Sequence, residues 1–160
     1  MNRPTRVVRG ARCSLDELRA HARYLLTTPV AWIADELLRG SRILSHATIP
    51  SVSDLGATET IFRDLGGVTA GGRCFLVREG FAALHDARCT DAVSRGLVDR
   101  YLGILRRGED LDLRITARLD DDGVERIYDG NKRCIALYEH GVQAHRLDVR
   151  VPVLVVHRLT

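Results

Sequence analysis

The only lysine of this chain lies in the pentapeptide Asp129-Gly130-Asn131-Lys132-Arg133. Lysine carries a compact ammonium and arginine a planar guanidinium, so the two side by side offer two different ways to bind an anion. The glycine after the aspartate permits a tight turn and a close approach of the backbone. The pentapeptide is therefore predicted to bind a phosphate group, although Asp-Gly-Asn is also typical of an ordinary turn.

The pentapeptide stands between a predicted strand, residues 124–128, and a predicted helix, residues 134–140. A helix N-terminus presents backbone amides and the positive end of the helix dipole, and Lys132 and Arg133 would add full charges there. Three roles for Asp129 stay open: it could hold a divalent metal ion, accept the proton of a substrate hydroxyl, or cap the helix.

Length and composition indicate a globular protein and exclude several classes. With 160 residues, of which 45% are hydrophobic, one domain is expected. The formal net charge of +3 is too small to indicate nucleic-acid binding by itself, and no apolar run approaches the roughly 20 residues of a membrane span. Four cysteines without paired spacing predict free thiols, no metal site formed by these cysteines, and a cytoplasmic location: Cys13, Cys74, Cys89 and Cys134.

Helical signals dominate residues 1–44. Ser14, followed three residues later by Glu, forms a capping box that opens a helix running to about Leu26. Thr28, with Pro next, is predicted to open a second helix that ends at Gly40. We expect this segment to be a helical extension in front of the main unit.

The middle of the chain has weaker patterns. Residues 45–72 are rich in glycine and are expected to be mostly loop, with a short helix near residues 59–65. Residues 74–77 have the composition of a short buried strand. The apolar stripe within residues 97–105 predicts a helix that ends at Gly108.

The clearest strand pattern lies in the last third of the chain. Apolar and polar residues alternate along residues 111–119, and a polar turn and a returning strand, residues 124–128, complete a hairpin. Residues 149–156 predict the last strand, where Pro152 indicates an edge position or a strand start. The fold class is therefore predicted to be α+β, a small mixed sheet with flanking helices.

A strand ending in Asp-Gly, then Arg three residues after the Gly, then Ala three residues after the Arg, resembles the nucleotide-binding segment of the ParB/sulfiredoxin-like superfamily. The matching residues are Asp129, Gly130, Arg133 and Ala136, and the resemblance covers roughly residues 74–156. It implies a ParB/sulfiredoxin-like mixed sheet and nucleotide binding.

The branches of that superfamily differ in what they imply. Chromosome-segregation members bind CTP and carry a DNA-reading module after this segment, which is not expected here. Sulfiredoxin has a reactive cysteine where Asn131 stands, so sulfinic acid repair is not expected either. The segment is most similar to the Asp-Gly-His-His-Arg segment of small free-amino-acid kinases. Since Asn131 and Lys132 replace the two histidines, the acid/base details of that branch do not carry over.

The kinase-type resemblance implies a phosphotransferase that uses ATP, ADP or CTP and acts on a small molecule, or a nucleotide hydrolase. Gly130 and Asn131 would form the nucleotide-binding turn, Lys132 and Arg133 would bind polyphosphate, and Mg²⁺ would be shared with Asp129. The resemblance also places a base upstream of the 97–105 helix, for which two carboxylates qualify: Glu79 and Asp91.

Asp-Gly-Asn-Lys-Arg is also similar to the loop of the Fic/Doc family, which transfers nucleotidyl or phosphoryl groups. The catalytic His of that loop would fall at Glu125 and its Phe at Ile127, so both are missing, and that family is all-helical. A degenerate Fic/Doc-like transferase is therefore one alternative. A non-enzymatic ParB-like module that binds nucleic acid through its arginines is a second, less favoured one. The oligomeric state is left open.

Overall fold

The computed structural model describes residues 6–146 and 148–159 and combines helices with a mixed sheet. The described residues form six helices: α1 (Leu15–Leu25), α2 (Ala31–Leu38), α3 (Val52–Gly56), α4 (Val77–His85), α5 (Ala92–Arg106) and α6 (Asn131–Gln143). They also form eight strands: β1 (Val8–Arg12), β2 (Ile43–Ile49), β3 (Glu59–Thr60), β4 (Asp64–Leu65), β5 (Val68–Thr69), β6 (Thr116–Leu119), β7 (Glu125–Asp129) and β8 (Val151–His157). The predicted α+β class is confirmed.

Six strands form one sheet in the order β1-β2-β8-β6-β7-β3. The β8–β6 and β3–β7 pairs are parallel, and the other neighbours are antiparallel. Strands β4 and β5 form a separate two-stranded hairpin. The all-helical Fic-type fold is excluded by this sheet.

Helices cover both faces of the sheet. Alternate strand residues point to opposite faces, and both sets include apolar residues that are buried under helices. One face, with Leu44 of β2 and Val156 of β8, packs against α1 and α2 through Ala22, Leu25, Ile33 and Leu37. The other face packs against α3 to α6 through a larger buried cluster, which includes Ile49, Leu55, Val77, Leu102, Ile127, Ile135 and Val155. Each fully buried aliphatic side chain of this kind stabilises the fold by about 1.5–3 kcal/mol.

The N-terminal segment is built into the sheet. The capping box at Ser14 is confirmed, but β1 pairs with β2, so residues 1–44 also contain a sheet strand and are more than a helical extension. The predicted N-cap at Thr28 is wrong. Helix α2 begins at Ala31 after Val30, and the Thr28 hydroxyl accepts a hydrogen bond from the Val30 amide in the preceding turn.

Three predictions for the middle of the chain are wrong. Residues 45–72 are not mostly loop, since β2 and α3 occupy their first part. Residues 59–65 contain strands β3 and β4 instead of a helix. Residues 74–77 form no strand: Leu76 makes one isolated bridge to Glu59, and α4 starts at Val77. Four of the five glycines in residues 45–72 lie in or next to the β4–β5 hairpin, where their backbone has positive φ, and the fifth, Gly56, ends α3.

The predicted hairpin and last strand are confirmed with shifted boundaries. The first strand of the hairpin is short, because residues 111–115 approach β6 without regular strand pairing. Pro152 is the second residue of β8, which lies between β2 and β6, so the strand-start alternative holds and the edge alternative is wrong. None of the helices in the described part of the chain has the length and hydropathy needed to cross a bilayer.

Candidate functional site

The turn between β7 and α6 is shaped by Gly130. Its φ of 92° lies in the left-handed region, and a Cβ there would lie 2.9 Å from Cγ1 of Ile115, so only glycine fits. Helix α6 has no side-chain cap. The capping role for Asp129 is therefore wrong, and the first amides of α6 are not closed off by a side chain.

Asp129 is instead bound by two side chains. The Tyr24 hydroxyl donates to Oδ2 of Asp129 at 2.6 Å, and Nη2 of Arg133 donates to the same oxygen at 3.2 Å. Arg133 also donates to the Tyr24 hydroxyl at 3.3 Å and to the Asp112 carbonyl at 2.9 Å. These hydrogen bonds hold the Arg133 guanidinium in place, and Arg133 in turn fixes the position of the Asp129 carboxylate.

Helix α1 contributes two side chains next to the pentapeptide: Tyr24 contacts Asp129, and His21 contacts Thr116. His21 hydrogen-bonds with Oγ1 of Thr116 at 2.8 Å, and burial lowers the pKa of His21 to about 4, so its ring is neutral at pH 7. The Arg114 guanidinium lies 4.2 Å from the centre of the Tyr24 ring. Burial, followed by the hydrogen bond to Asp129, raises the pKa of Tyr24, so this hydroxyl keeps the proton that it donates.

The charge of Lys132 acts on a second helix start, which lies at Asp91. Asp91 is the N-cap of α5 and accepts hydrogen bonds from the amide of Ser94 at 2.9 Å and from its hydroxyl at 2.7 Å. These bonds, together with the nearby charge of Lys132, lower the pKa of Asp91. Lys132 itself forms no hydrogen bond or salt bridge to a side chain of the described residues, so its ammonium is available to an anion.

The glycine-rich β4–β5 hairpin packs against the start of α5. The Gly66 carbonyl accepts a hydrogen bond from the Thr90 amide at 3.0 Å. A Cβ on Gly66 would lie 2.5 Å from the Asp91 amide nitrogen, so the hairpin contacts the backbone directly there. The Asp91 side of the candidate site is therefore bordered by the hairpin.

Asn131, the first residue of α6, is 6% exposed, and its Oδ1 has no hydrogen-bond partner among the described residues. A buried acceptor left without a donor costs about 1–3 kcal/mol. The start of α6 thus offers backbone amides and the Lys132 ammonium, and it also contains this buried unsatisfied acceptor.

Glu79 lies elsewhere. It pairs with Arg73, accepts a hydrogen bond from the Leu76 amide at 2.9 Å, and lines a cavity of about 420 Å³ together with Glu125. Glu125 starts β7 and Asp129 ends it, so about 13 Å of strand separates that cavity from the candidate site. Of the two predicted bases, the fold brings Asp91 to the pentapeptide and leaves Glu79 apart.

Three residues near the pentapeptide were not predicted from the sequence: His21 and Tyr24 of α1, and Thr116 of β6, which hydrogen-bonds with His21. One signal was available: His21 lies on the apolar face of α1 with Leu18 and Leu25, and a buried polar ring there needs a partner. No family model, curated protein or solved structure matches the chain. The superfamily resemblance therefore stays a prediction.

Proposed function

We propose that this protein binds a nucleoside diphosphate or triphosphate at the start of α6 and transfers a phosphoryl group to or from a small molecule. The main support for the proposal is that the N-terminus of α6 has no side-chain cap and carries Lys132, whose charge is close enough to lower the pKa of Asp91. A phosphate at this position gains hydrogen bonds from the first amides of α6 and the favourable end of its dipole.

The two cations of the pentapeptide have different roles in this proposal. Lys132 contacts the phosphates, because its ammonium is not engaged by a described side chain. Arg133 holds Asp129 and the 112 carbonyl in place. This division revises the expectation that both side chains bind polyphosphate, and it makes the lone lysine the principal phosphate ligand.

Asp129 has one carboxylate oxygen available for a magnesium ion. Both side-chain hydrogen bonds to it from described residues end on Oδ2, so the other carboxylate oxygen can face an ion. Mg²⁺ in phosphoryl-transfer sites is held by one or two carboxylates and the substrate phosphates. When bound, the ion would neutralise charge on the transferred group, which is most of what this reaction requires of the protein.

Asp91 is the better candidate to orient the acceptor. Its hydrogen bonds with Ser94 keep the carboxylate ionised and fixed in direction. An ionised carboxylate beside the phosphates can accept the hydrogen bond of an acceptor hydroxyl. Glu79, which lies at the other end of β7, has no role in this proposal.

Binding to a nucleic-acid backbone is the less favoured alternative, because many arginines are already paired with carboxylates. Arg42 and Arg118 both pair with Glu36, and Arg126 pairs with Asp122. Backbone binding would weaken steeply with salt through counterion release. A nucleotide site would respond chiefly to nucleotide type and to Mg²⁺.

Isothermal titration calorimetry with ATP, ADP and CTP, with and without Mg²⁺, tests the proposal. Lys132→Ala should weaken the tightest nucleotide roughly tenfold to a hundredfold, because one charge-assisted hydrogen bond is lost. Arg100→Ala is the matched control, since this exposed cation lies nine residues further along α5 than Asp91, about 13 Å away. Equal affinities in both variants, or no binding of any nucleotide, would refute the proposal.

A further inference from the structure

A second group of chemically active side chains lies away from α6. Cys13, Glu17 and His46 each offer one ligand atom, and the three atoms lie within 4.8 Å of one another. Nε2 of His46 lies 2.6 Å from Oε2 of Glu17. The three residues come from different parts of the chain: Cys13 directly follows β1, Glu17 lies in the first turn of α1, and His46 lies in the middle of β2.

The β1–β2 pairing brings the three residues together. The Cys13 amide donates to the Leu44 carbonyl at 2.8 Å, which fixes the end of β1 against β2. Strand alternation then places His46 on the same face as Leu44, the face that α1 and α2 cover. The first turn of α1 follows directly from Cys13, so Glu17 reaches the same point.

The capping box orients the carboxylate. The Ser14 amide donates to Oε1 of Glu17 at 2.9 Å, and the Glu17 amide donates to Oγ of Ser14 at 3.2 Å. Oε2 of Glu17 is thereby directed toward His46. A hydrogen bond that holds a ligating group in place is a recurrent feature of protein metal sites.

We propose that Cys13, Glu17 and His46 form a binding site for a divalent transition metal ion, with zinc as the best match. Thiolate, imidazole and carboxylate are the side chains that bind zinc in proteins. Ligand atoms around tetrahedral zinc lie about 3.4 Å apart, given zinc–ligand distances near 2.1 Å. The observed spread of up to 4.8 Å requires only small side-chain movements to reach that geometry.

Exposure gives the ion a route to the site. The side chains of His46 and Glu17 are 51% and 48% exposed, whereas Cys13 is buried. Three protein ligands leave a fourth position for water or a small ligand, as in sites where zinc acts on a substrate. This metal site does not depend on nucleotide binding, because none of its three metal-binding residues comes from α6.

Titration of the full chain with Zn²⁺ against a chromophoric chelator, and with Co²⁺ followed by absorption, tests the site. We expect one equivalent of Zn²⁺ to bind and Co²⁺ to give the thiolate charge-transfer band in the near ultraviolet. Cys13→Ser should remove that band, and His46→Ala should weaken Zn²⁺ binding by about tenfold or more. Far-ultraviolet circular dichroism checks that both variants fold.

Cys74→Ser and His140→Ala serve as matched controls, because both residues lie outside the group of three. The controls should bind Zn²⁺ as the unmodified chain does. The site is refuted by any of three results: no Zn²⁺ binding, Zn²⁺ binding that Cys13→Ser and His46→Ala leave unchanged, or a Co²⁺ complex without a thiolate band.

Discussion

The hydrogen bond between Tyr24 and Asp129 gives the sharpest test of how the N-terminal segment is joined to the candidate site. Tyr24→Phe removes only the hydroxyl, which donates to Oδ2 of Asp129 at 2.6 Å and accepts from Arg133 at 3.3 Å. The two residues are 105 positions apart, so the bond exists only in the folded chain.

The expected loss in the free energy of unfolding follows from the charge of the acceptor, the Asp129 carboxylate. A hydrogen bond to a charged group contributes about 1.5–3 kcal/mol. Tyr24 is only half-buried, so the lower end, about 1.5–2 kcal/mol, is expected. With a urea m-value of about 2 kcal/mol/M for a chain of this size, the unfolding midpoint should fall by about 0.7–1 M, without a change in m.

Urea denaturation of four variants measures this loss: Tyr24→Phe, Asp129→Ala, the double mutant and Tyr101→Phe. Tyr101→Phe is the control, because its hydroxyl makes no hydrogen bond with a described residue. A double-mutant cycle of Tyr24→Phe with Asp129→Ala should give a coupling free energy of about 1–2 kcal/mol. A Tyr24→Phe loss no larger than that of Tyr101→Phe, or a coupling near zero, would show that the bond between Tyr24 and Asp129 does not stabilise the fold.

Two further predictions concern His21 and Gly130. Burial lowers the pKa of His21 to about 4, so the unfolded chain binds the extra proton first as the pH falls below about 6.5. The free energy of unfolding should therefore drop by about 2 kcal/mol between pH 7 and pH 5 through this residue. Urea unfolding at both pH values should show a smaller drop in His21→Gln than in the unmodified chain. Equal drops in the two proteins would contradict this role of His21. Gly130→Ala should destabilise more than Gly67→Ala by about 1–3 kcal/mol, because both have a positive φ but only Gly130 has neighbours that a Cβ would meet. Equal losses in thermal unfolding would show that crowding against Ile115 is absent.

Local signals in the sequence were sufficient for some features of the fold. The capping box at Ser14 and the order of strand, Asp-Gly turn and helix around Gly130 are encoded within a few residues, and both are present. Strand β2 was missed although Ile43, Ala47 and Ile49 alternate correctly, because the glycines and proline that follow dominated the interpretation of that region.

The candidate site was predictable only where it is local. Asp129 and Arg133 lie four residues apart, so their pairing follows from the start of one helix. Tyr24 reaches them only because α1 packs on the same sheet, and no short-range pattern encodes that contact. The group of Cys13, Glu17 and His46 has the same origin, since His46 comes from the neighbouring strand.

Nucleotide phosphates are proposed to bind at the start of α6. The most direct measurement is a titration of ¹⁵N-labelled protein with ADP and Mg²⁺, followed by the backbone amide resonances. The largest saturable shifts are predicted at residues 131–133 and at Asp91. Largest shifts around Arg73, Glu79 and Glu125 at the other end of β7, or no saturable shift, would contradict the claim.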